Sequence, residues 1–208
     1  MKLPLALIAL IALIFSAFTL PQAQAQNQTE TEEALLQRVE AYLNGITTFA
    51  ANFLQVNHDG SISEGEIAVS RPGRMRIKYA APLQVEIISD GDWITYIDRE
   101  LGQLSQAPLN GSHAELLVRN DLKFGEDVVV KRIKFKANLI EITIARLENP
   151  GEGSMTLVFS DNPLELRQWS VVDAQRLTTR VTLFDTRFGL TLDPALFDAP
   201  PPFPESDR

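Results

Sequence analysis

Cysteine is absent from all 208 residues. That excludes disulfides, thiolate-held zinc, iron–sulfur clusters and a thiol nucleophile. It also removes the lipid attachment point of a bacterial lipoprotein. Histidine is nearly as scarce, with only His58 and His113, too few for a His-rich metal cluster. His58 falls in a turn and His113 at a helix start, so both read as solvated side chains rather than an acid–base pair. Positive charge is short as well: 19 basic against 27 acidic side chains leave a net charge of −8, whereas a nucleic-acid partner requires a basic footprint. There is no G-x-S-x-G, no P-loop and no H-E-x-x-H. Gly151-x-Gly153 lacks the third glycine and the helix of a dinucleotide site. Glu64, Glu66, Asp90 and Asp92 lie near turns, where they serve solubility and turn formation. No catalytic residues, no metal, no cofactor and no nucleic acid are expected.

Hydrophobic residues make up 45% of the chain, the ordinary fraction for a protein that builds a core. One long apolar run stands out, residues 3–20 (LPLALIALIALIFSAFTL), broken only by Ser16 and Thr19. Lys2 precedes it, Pro21 ends it, and Ala23-Gln24-Ala25 supplies the small-x-small pattern of a signal-peptidase site. A run of this length can just span a bilayer, so an uncleaved anchor is the alternative. The position at the extreme N-terminus and the A-x-A site favour a cleaved signal peptide, residues 1–25, ahead of one domain, residues 26–208. Lys2 is the one charged residue in that leader, so cleavage takes the net charge from −8 to −9.

Thr29-x-x-Glu32 reads as a capping box, and Leu35, Leu36, Val39, Tyr42, Leu43 and Ile46 follow at helical spacing, with Gly45 as the stop. Strand signals then come in series. They fall at 47–56, 62–70, 74–79, 85–89, 93–98 and 101–105, then at 128–136, 139–146, 155–160, 166–173 and 177–184. Turn chemistry separates them, Asp90-Gly91 being a strong hairpin signal. Such spacing indicates an antiparallel sandwich or barrel. Residues 108–121 interrupt the rhythm: Ser112-x-x-Glu115 can cap a short helix carrying Leu116, Leu117 and Val118. No internal repeat is visible.

Several segments go beyond pattern. Arg71-Pro72-Gly73-Arg74-Met75-Arg76-Ile77-Lys78-Tyr79, with Pro82 beyond it, forms one such segment. Ile88-Ser89-Asp90-Gly91 before the aromatic strand 93–97 forms a second, and Thr48-Phe49-Ala50-Ala51-Asn52-Phe53-x-Gln55 after the first helix a third. With the closing Leu196-Phe197-Asp198-Ala199-Pro200-Pro201, they resemble in order and spacing the periplasmic outer-membrane lipoprotein carrier (LolA) family. The resemblance runs from about residue 30 to 202. It implies a mainly β fold with a helical lid: an unclosed, strongly curved antiparallel half-barrel whose concave apolar face is covered by the N-terminal helix and the short inserted helix. It also implies a monomeric, non-enzymatic periplasmic chaperone. Such a chaperone takes acylated lipoproteins from an ATP-driven (ABC-type) release complex in the inner membrane and delivers them to an outer-membrane lipoprotein receptor.

Strict alternation in 74–79 puts Met75, Ile77 and Tyr79 on one face. If the strand continues through Pro72, Arg71 joins that apolar side and needs acceptors, because an unpaired buried charge is costly. Unpaired carbonyls at a helix end are suitable. On the residues alone, an arginine at a sheet rim, solvated or paired with a carboxylate, is the commoner reading. The resemblance instead implies that Arg71 is the gate that ties down the lid. For the acyl-chain cavity the apolar face of Met75, Ile77 and Tyr79 comes first; Phe49, Phe53, Trp93, Tyr96, Leu116, Leu117 and Trp169 are weaker candidates, for each of which ordinary core packing is an equal alternative. A lipid- or lipoprotein-sensing domain of the same fold that regulates a membrane partner is the runner-up, and would normally need a further domain. An outer-membrane receptor of this fold would need the absent cysteine. The leader reading has a direct check: cell fractionation is expected to recover a periplasmic protein lacking residues 1–25, and an intact chain in the membrane fraction would contradict it.

Overall fold

The computed structural model describes residues 30–200, so the leader reading of residues 1–25 lies outside the described residues. Helix α1 (Glu32–Gly45) begins at Thr31, whose hydroxyl accepts a hydrogen bond from the Ala34 N–H at 3.2 Å. The cap thus sits two residues beyond the expected Thr29, which is outside the described residues. Thr31 as cap places Glu32 and Glu33 in the first turn, where their charge complements the helix dipole. Leu35, Val39 and Leu43, four residues apart, form the buried stripe.

Eleven antiparallel strands follow: β1 (Thr48–Val56), β2 (Ile62–Ser70), β3 (Arg74–Tyr79), β4 (Val85–Asp90), β5 (Trp93–Asp98), β6 (Gln103–Pro108), β7 (Val128–Lys136), β8 (Leu139–Arg146), β9 (Ser154–Ser160), β10 (Glu165–Val172) and β11 (Thr178–Phe188). The short helix α2 (Glu115–Val118) is inserted between β6 and β7, and a 3₁₀ helix (Pro194–Phe197) comes last. The strands form one sheet in the order β6-β5-β4-β3-β2-β1-β11-β10-β9-β8-β7. The two halves are sequential meanders joined where β11 pairs with β1. β6 and β7 are not paired to each other, so the sheet stays open.

Register defines the two faces. Phe49, Val69, Met75, Ser89 and Ile94 lie opposite one another across β1 to β5 and share the inner face. On the other wing Trp169, Leu157 and Ile142 do the same. Laid flat at about 4.8 Å per strand, the sheet would be about 48 Å wide, whereas a helix with its side chains is about 10–12 Å across. Yet Leu35, Val39 and Leu43 of α1 share one continuous core with Met75 of β3 and Ile140 of β8. Tyr42 packs edge-on against Phe159 of β9 at 6.0 Å, while Leu43 O accepts a hydrogen bond from Arg71, just beyond β2. The sheet therefore curls around α1. Outside it, the 3₁₀ helix lies over β3 and β4, and Phe197, Ile88 and Ile97 are buried apart from the main core.

Two elements depart from expectation. β6 occupies Gln103–Pro108 rather than 101–105, because the Asp98 carboxylate accepts the Leu101 N–H at 2.9 Å and holds 98–102 in a turn. β11 runs four residues past its expected end, to Phe188, through a bulge opposite Ala50–Asn52 where Asp185 takes φ 53°. Side-chain alternation is broken there, which hides the continuation. The remaining strands start and stop within one residue of expectation. Leu35 is fully buried and Leu101 is 66% exposed. Leu35→Ala should therefore lower the unfolding free energy by about 2–5 kcal/mol, and Leu101→Ala by less than about 0.5 kcal/mol, as read by urea denaturation.

Candidate functional site

The site is built from two turns at one end of the sheet. Residues 71–73 form the turn between β2 and β3, so β3 does not continue through Pro72. Arg71 owes its inward direction instead to β2, extending the odd-numbered face of Ile67 and Val69. Its N–H donates to the Thr47 carbonyl at 2.8 Å. Gly73 has φ +78°, and a Cβ there would come within 2.7 Å of the Gly91 Cα. The fully buried Ser89 hydroxyl donates to the Gly73 carbonyl at 2.7 Å. Asp90 accepts the N–H groups of Trp93 and Asp92 at 2.8 and 2.9 Å, and these bonds hold its carboxyl below the usual range. The R-P-G and S-D-G segments, read separately in the sequence, thus interlock into one rigid support.

From this support the half-buried Arg71 guanidinium reaches three carbonyls. Nε and Nη2 donate to Leu117 O at 3.0 and 2.7 Å, and Nη1 donates to Ile46 O at 3.3 Å and to Leu43 O. Leu43 O lies in the last turn of α1, Ile46 is its C-cap and Leu117 belongs to α2, so all three are carbonyls of helix ends, of which Leu43 O also accepts the Ile46 N–H at 3.3 Å. No carboxylate of the described residues pairs with Arg71. Burial pulls its pKa down to about 10, which leaves it a cation at neutral pH. A second tie joins the same pieces: Gly73 N–H donates to Val118 O at 2.9 Å.

The far side of α2 is pinned by charge. Glu115 accepts Arg146 Nη2 at 2.8 Å and the Gly111 N–H at 3.0 Å, while the Ser112 hydroxyl accepts the Glu115 N–H at 3.2 Å. Arg119 pairs with Asp127 at 3.0 Å. The strap after α2 is stitched to α1 by Asn44, whose amide donates to Leu122 O and accepts Leu122 N–H, both at 2.9 Å, and by Glu40, which accepts Phe124 N–H. His113 is half-buried against Gly153 rather than solvated, and burial followed by the Arg146 charge lowers its pKa. His58 is exposed, as expected.

Beneath the latch lies a crevice bounded by Ile46, Phe49, Arg71, Leu117, Leu166, Leu183, Thr186 and Phe188, with about 10 Å³ of free space. That is barely room for one water, so this crevice is filled by its own side chains. Phe49, Phe53, Met75, Leu116 and Trp169 are buried in the core, and Ile77, Tyr79 and Leu117 pack against it. Tyr79 meets Phe53 edge-on at 5.4 Å and donates to Gln55 Oε1 at 2.9 Å. Trp93 and Tyr96 stand apart, 48% and 39% exposed. Trp93 is a correction: with Ile94 opposite Ser89 on the inner face, strand alternation turns Trp93 outward with Thr95 and Ile97. Tyr96 is on the inner face opposite Ile87, but one strand from the open edge, too far out to be covered.

Sequence reading missed Ile46, Leu166, Leu183 and Phe188 as crevice walls. Val181 and Leu183 alternate visibly, whereas Phe188 lies beyond the bulge. A larger depression of about 760 Å³ lies on the outer face between Ala50, Ala68, Arg76, Lys78, Leu192 and Leu196, and none of the sequence-predicted cavity residues lines it. Among the described residues no cluster of His, Asp or Glu could hold a metal ion.

The chain matches the family model of the outer membrane lipoprotein carrier protein LolA over residues 44–200. It is 25% identical over 182 residues to the outer-membrane lipoprotein carrier protein of Methylococcus capsulatus, covering 84% of this chain and 87% of that one. With the protein of the same name from Azotobacter vinelandii it shares 28% over 191 residues, 88% of each chain. Among solved structures, a DUF1329 family protein from Desulfovibrio piger superposes with a TM-score of 0.50 at 7% identity, covering 78% of this chain and 94% of that one; this likeness concerns the fold alone.

The latch geometry yields a local prediction. Arg71→Leu removes charge-assisted bonds worth about 1.5–3 kcal/mol each. Amide hydrogen exchange at Val118 and Arg119 should then rise about tenfold or more, while amides of β8 and β9 keep their protection. Unchanged exchange in α2 would show that the latch does not hold it.

Proposed function

The chain belongs to the outer membrane lipoprotein carrier protein LolA family, and from that premise we propose that it carries lipoproteins through the periplasm by enclosing their acyl chains between the curved sheet and its two helices. The observation that supports this most strongly is a cation, Arg71, bonded only to helix-end carbonyls over an apolar crevice. An active site would give such a cation an anion to hold. Here its partners are the two elements that must move if anything apolar is to enter. No helix among the described residues is long and apolar enough to cross a membrane, in keeping with a carrier that travels between membranes.

Acyl chains cannot cross water unaided: each buried CH₂ contributes about 0.8 kcal/mol, and two chains already give near-permanent anchoring. A carrier must match that with apolar surface and still let go. The closed form described here has its apolar side chains packed on one another. Cargo therefore enters by displacing α2 and breaking the Arg71 bonds to Leu117. When cargo leaves, those bonds re-form and the crevice refills. Arg71 thus favours the empty state and lowers the apparent affinity for cargo by depopulating the competent one. Delivery follows when an outer-membrane receptor offers the acyl chains a site without that opposing latch. The inner-face residues Phe49, Phe53, Met75, Ile77 and Tyr79 then supply the acyl-contacting wall.

A two-step assay tests this, with release of lipoprotein from inner-membrane vesicles followed by transfer to the receptor. Arg71→Leu should load normally and then stall, with loaded protein accumulating and transfer falling about tenfold or more, the loss of one charge-assisted bond. Arg71→Lys should be intermediate, because an ammonium keeps the charge without the planar fork. Normal transfer by Arg71→Leu, or a defect confined to loading, would overturn the gate.

A further inference from the structure

One hairpin of this acidic chain carries four cations within six residues. Lys131, Arg132, Lys134 and Lys136 crowd the end of β7, all exposed. Lys136 pairs with Glu141 at 2.7 Å, while the other three have no ion-pair partner among the described residues. Between two of them Phe135 is 60% exposed, and Leu139, directly opposite Lys136, is 39% exposed. The turn Ala137-Asn138 closes the hairpin between them. Lysines on an edge strand commonly block unwanted strand pairing, but that role does not account for an exposed phenylalanine and leucine beside them. Nor does the chain protect edges this way generally, since the other free edge, β6, carries no charged residue at all.

We propose that the β7–β8 hairpin tip is a docking site for an anionic lipid bilayer. Arg132, Lys134 and Lys136 point to the outer face, opposite Thr143, Glu141 and Leu139, and Phe135 points to the inner face, opposite Ile140. A tip with an exposed aromatic ring on one face of the strand and cations on the other has no groove to fit into. A bilayer interface accepts it without one: the ring enters the headgroup region and the lysine stems reach out to lipid phosphates. The chain's overall charge of −8 is repelled by the same surface, so contact is restricted to this tip. The orientation that results has a consequence. In the antiparallel sheet the end of β7 and the start of β8 lie at the same end as the start of β1, the end of β2 and Phe188. The Asp161 N–H bonds Asn138 O at 2.9 Å there. Docking tip-first therefore presents the Arg71 latch and its crevice to the membrane. That consequence rests on the carrier reading; the lipid affinity does not.

The test is co-sedimentation of the purified protein with phosphatidylethanolamine vesicles that do or do not contain phosphatidylglycerol and hold no lipoprotein. Binding is expected only with phosphatidylglycerol, and should weaken with added salt. At about fivefold per cation, Lys134→Gln with Lys136→Gln should lower partitioning about 25-fold, and Phe135→Ser about tenfold. Lys78→Gln with Arg180→Gln, which removes two exposed cations at the opposite end of the sheet, should leave it within about twofold. Equal binding to vesicles without phosphatidylglycerol, or an equal loss in the Lys78/Arg180 pair, would overturn the proposal. So would retention on immobilised polyglutamate, lost with Lys134→Gln and Lys136→Gln, without vesicle binding; that outcome assigns the tip to an acidic protein. Because no lipoprotein is present, vesicle binding can fail while carriage succeeds, and the reverse.

Discussion

A guanidinium withdrawn from water must be given acceptors, and the arrangement of this molecule around Arg71 follows from how they are supplied. Among the described residues no carboxylate pairs with it; helix-end carbonyls do. Carbonyl dipoles are weaker partners than an anion, and here they belong to helix ends, where acceptors exceed the donors of the helix itself. The cation is therefore satisfied only while α1 ends beside β2 and α2 lies across both. An ion pair would fix Arg71 to one partner, whereas the Leu117 carbonyl of the four-residue α2 makes part of its satisfaction depend on where that helix is.

The fastening of the two helices is unequal. α1 is held along its length by Arg38 to Asp161 at 2.9 Å, by Tyr42 accepting the Leu166 N–H at 2.9 Å, and by a buried leucine and valine stripe. α2 is held at its two sides by Arg71 and by Glu115 to Arg146, with Leu116 and Val118 beneath. A curved open sheet needs a filler for its concave side, and α1, α2 and inward side chains such as Phe49, Phe53 and Trp169 occupy its centre, leaving Tyr96 and Phe135 exposed nearer the open edges. On the proposed reading, the apolar surface that stabilises the empty protein is also the one offered to cargo, so loading exchanges one set of apolar contacts for another. A latch of a few hydrogen bonds can bias that exchange because the larger hydrophobic terms nearly cancel.

Much of this was legible in the residues. Alternation in 74–79 and the turn chemistry between strands fixed nearly every strand, because side-chain period and turn residues are local properties. The helical spacing of Leu35, Val39 and Leu43 located α1 for the same reason. Phe188 was not legible, since the Asp185 bulge shifts the alternation on which such reading depends. Nor was the outward turn of Trp93, because an aromatic strand reads alike on either face until its register with β4 is known. The family resemblance singled out Arg71, and the residues by themselves favoured a solvated rim.

By itself, then, the sequence determined the class of the molecule: an acidic, cysteine-free chain of short strands, two helical segments and no catalytic constellation. These follow from composition and from patterns that span a few residues. Tertiary structure alone decided what Arg71 bonds, that Ser89 and Gly91 support Gly73, that the crevice is filled rather than open, and that the basic tip of β7 shares an end with the latch. Each of these depends on residues tens to more than a hundred positions apart, brought together by strand order and sheet curvature. No local preference of the chain encodes which distant carbonyl will face a given cation.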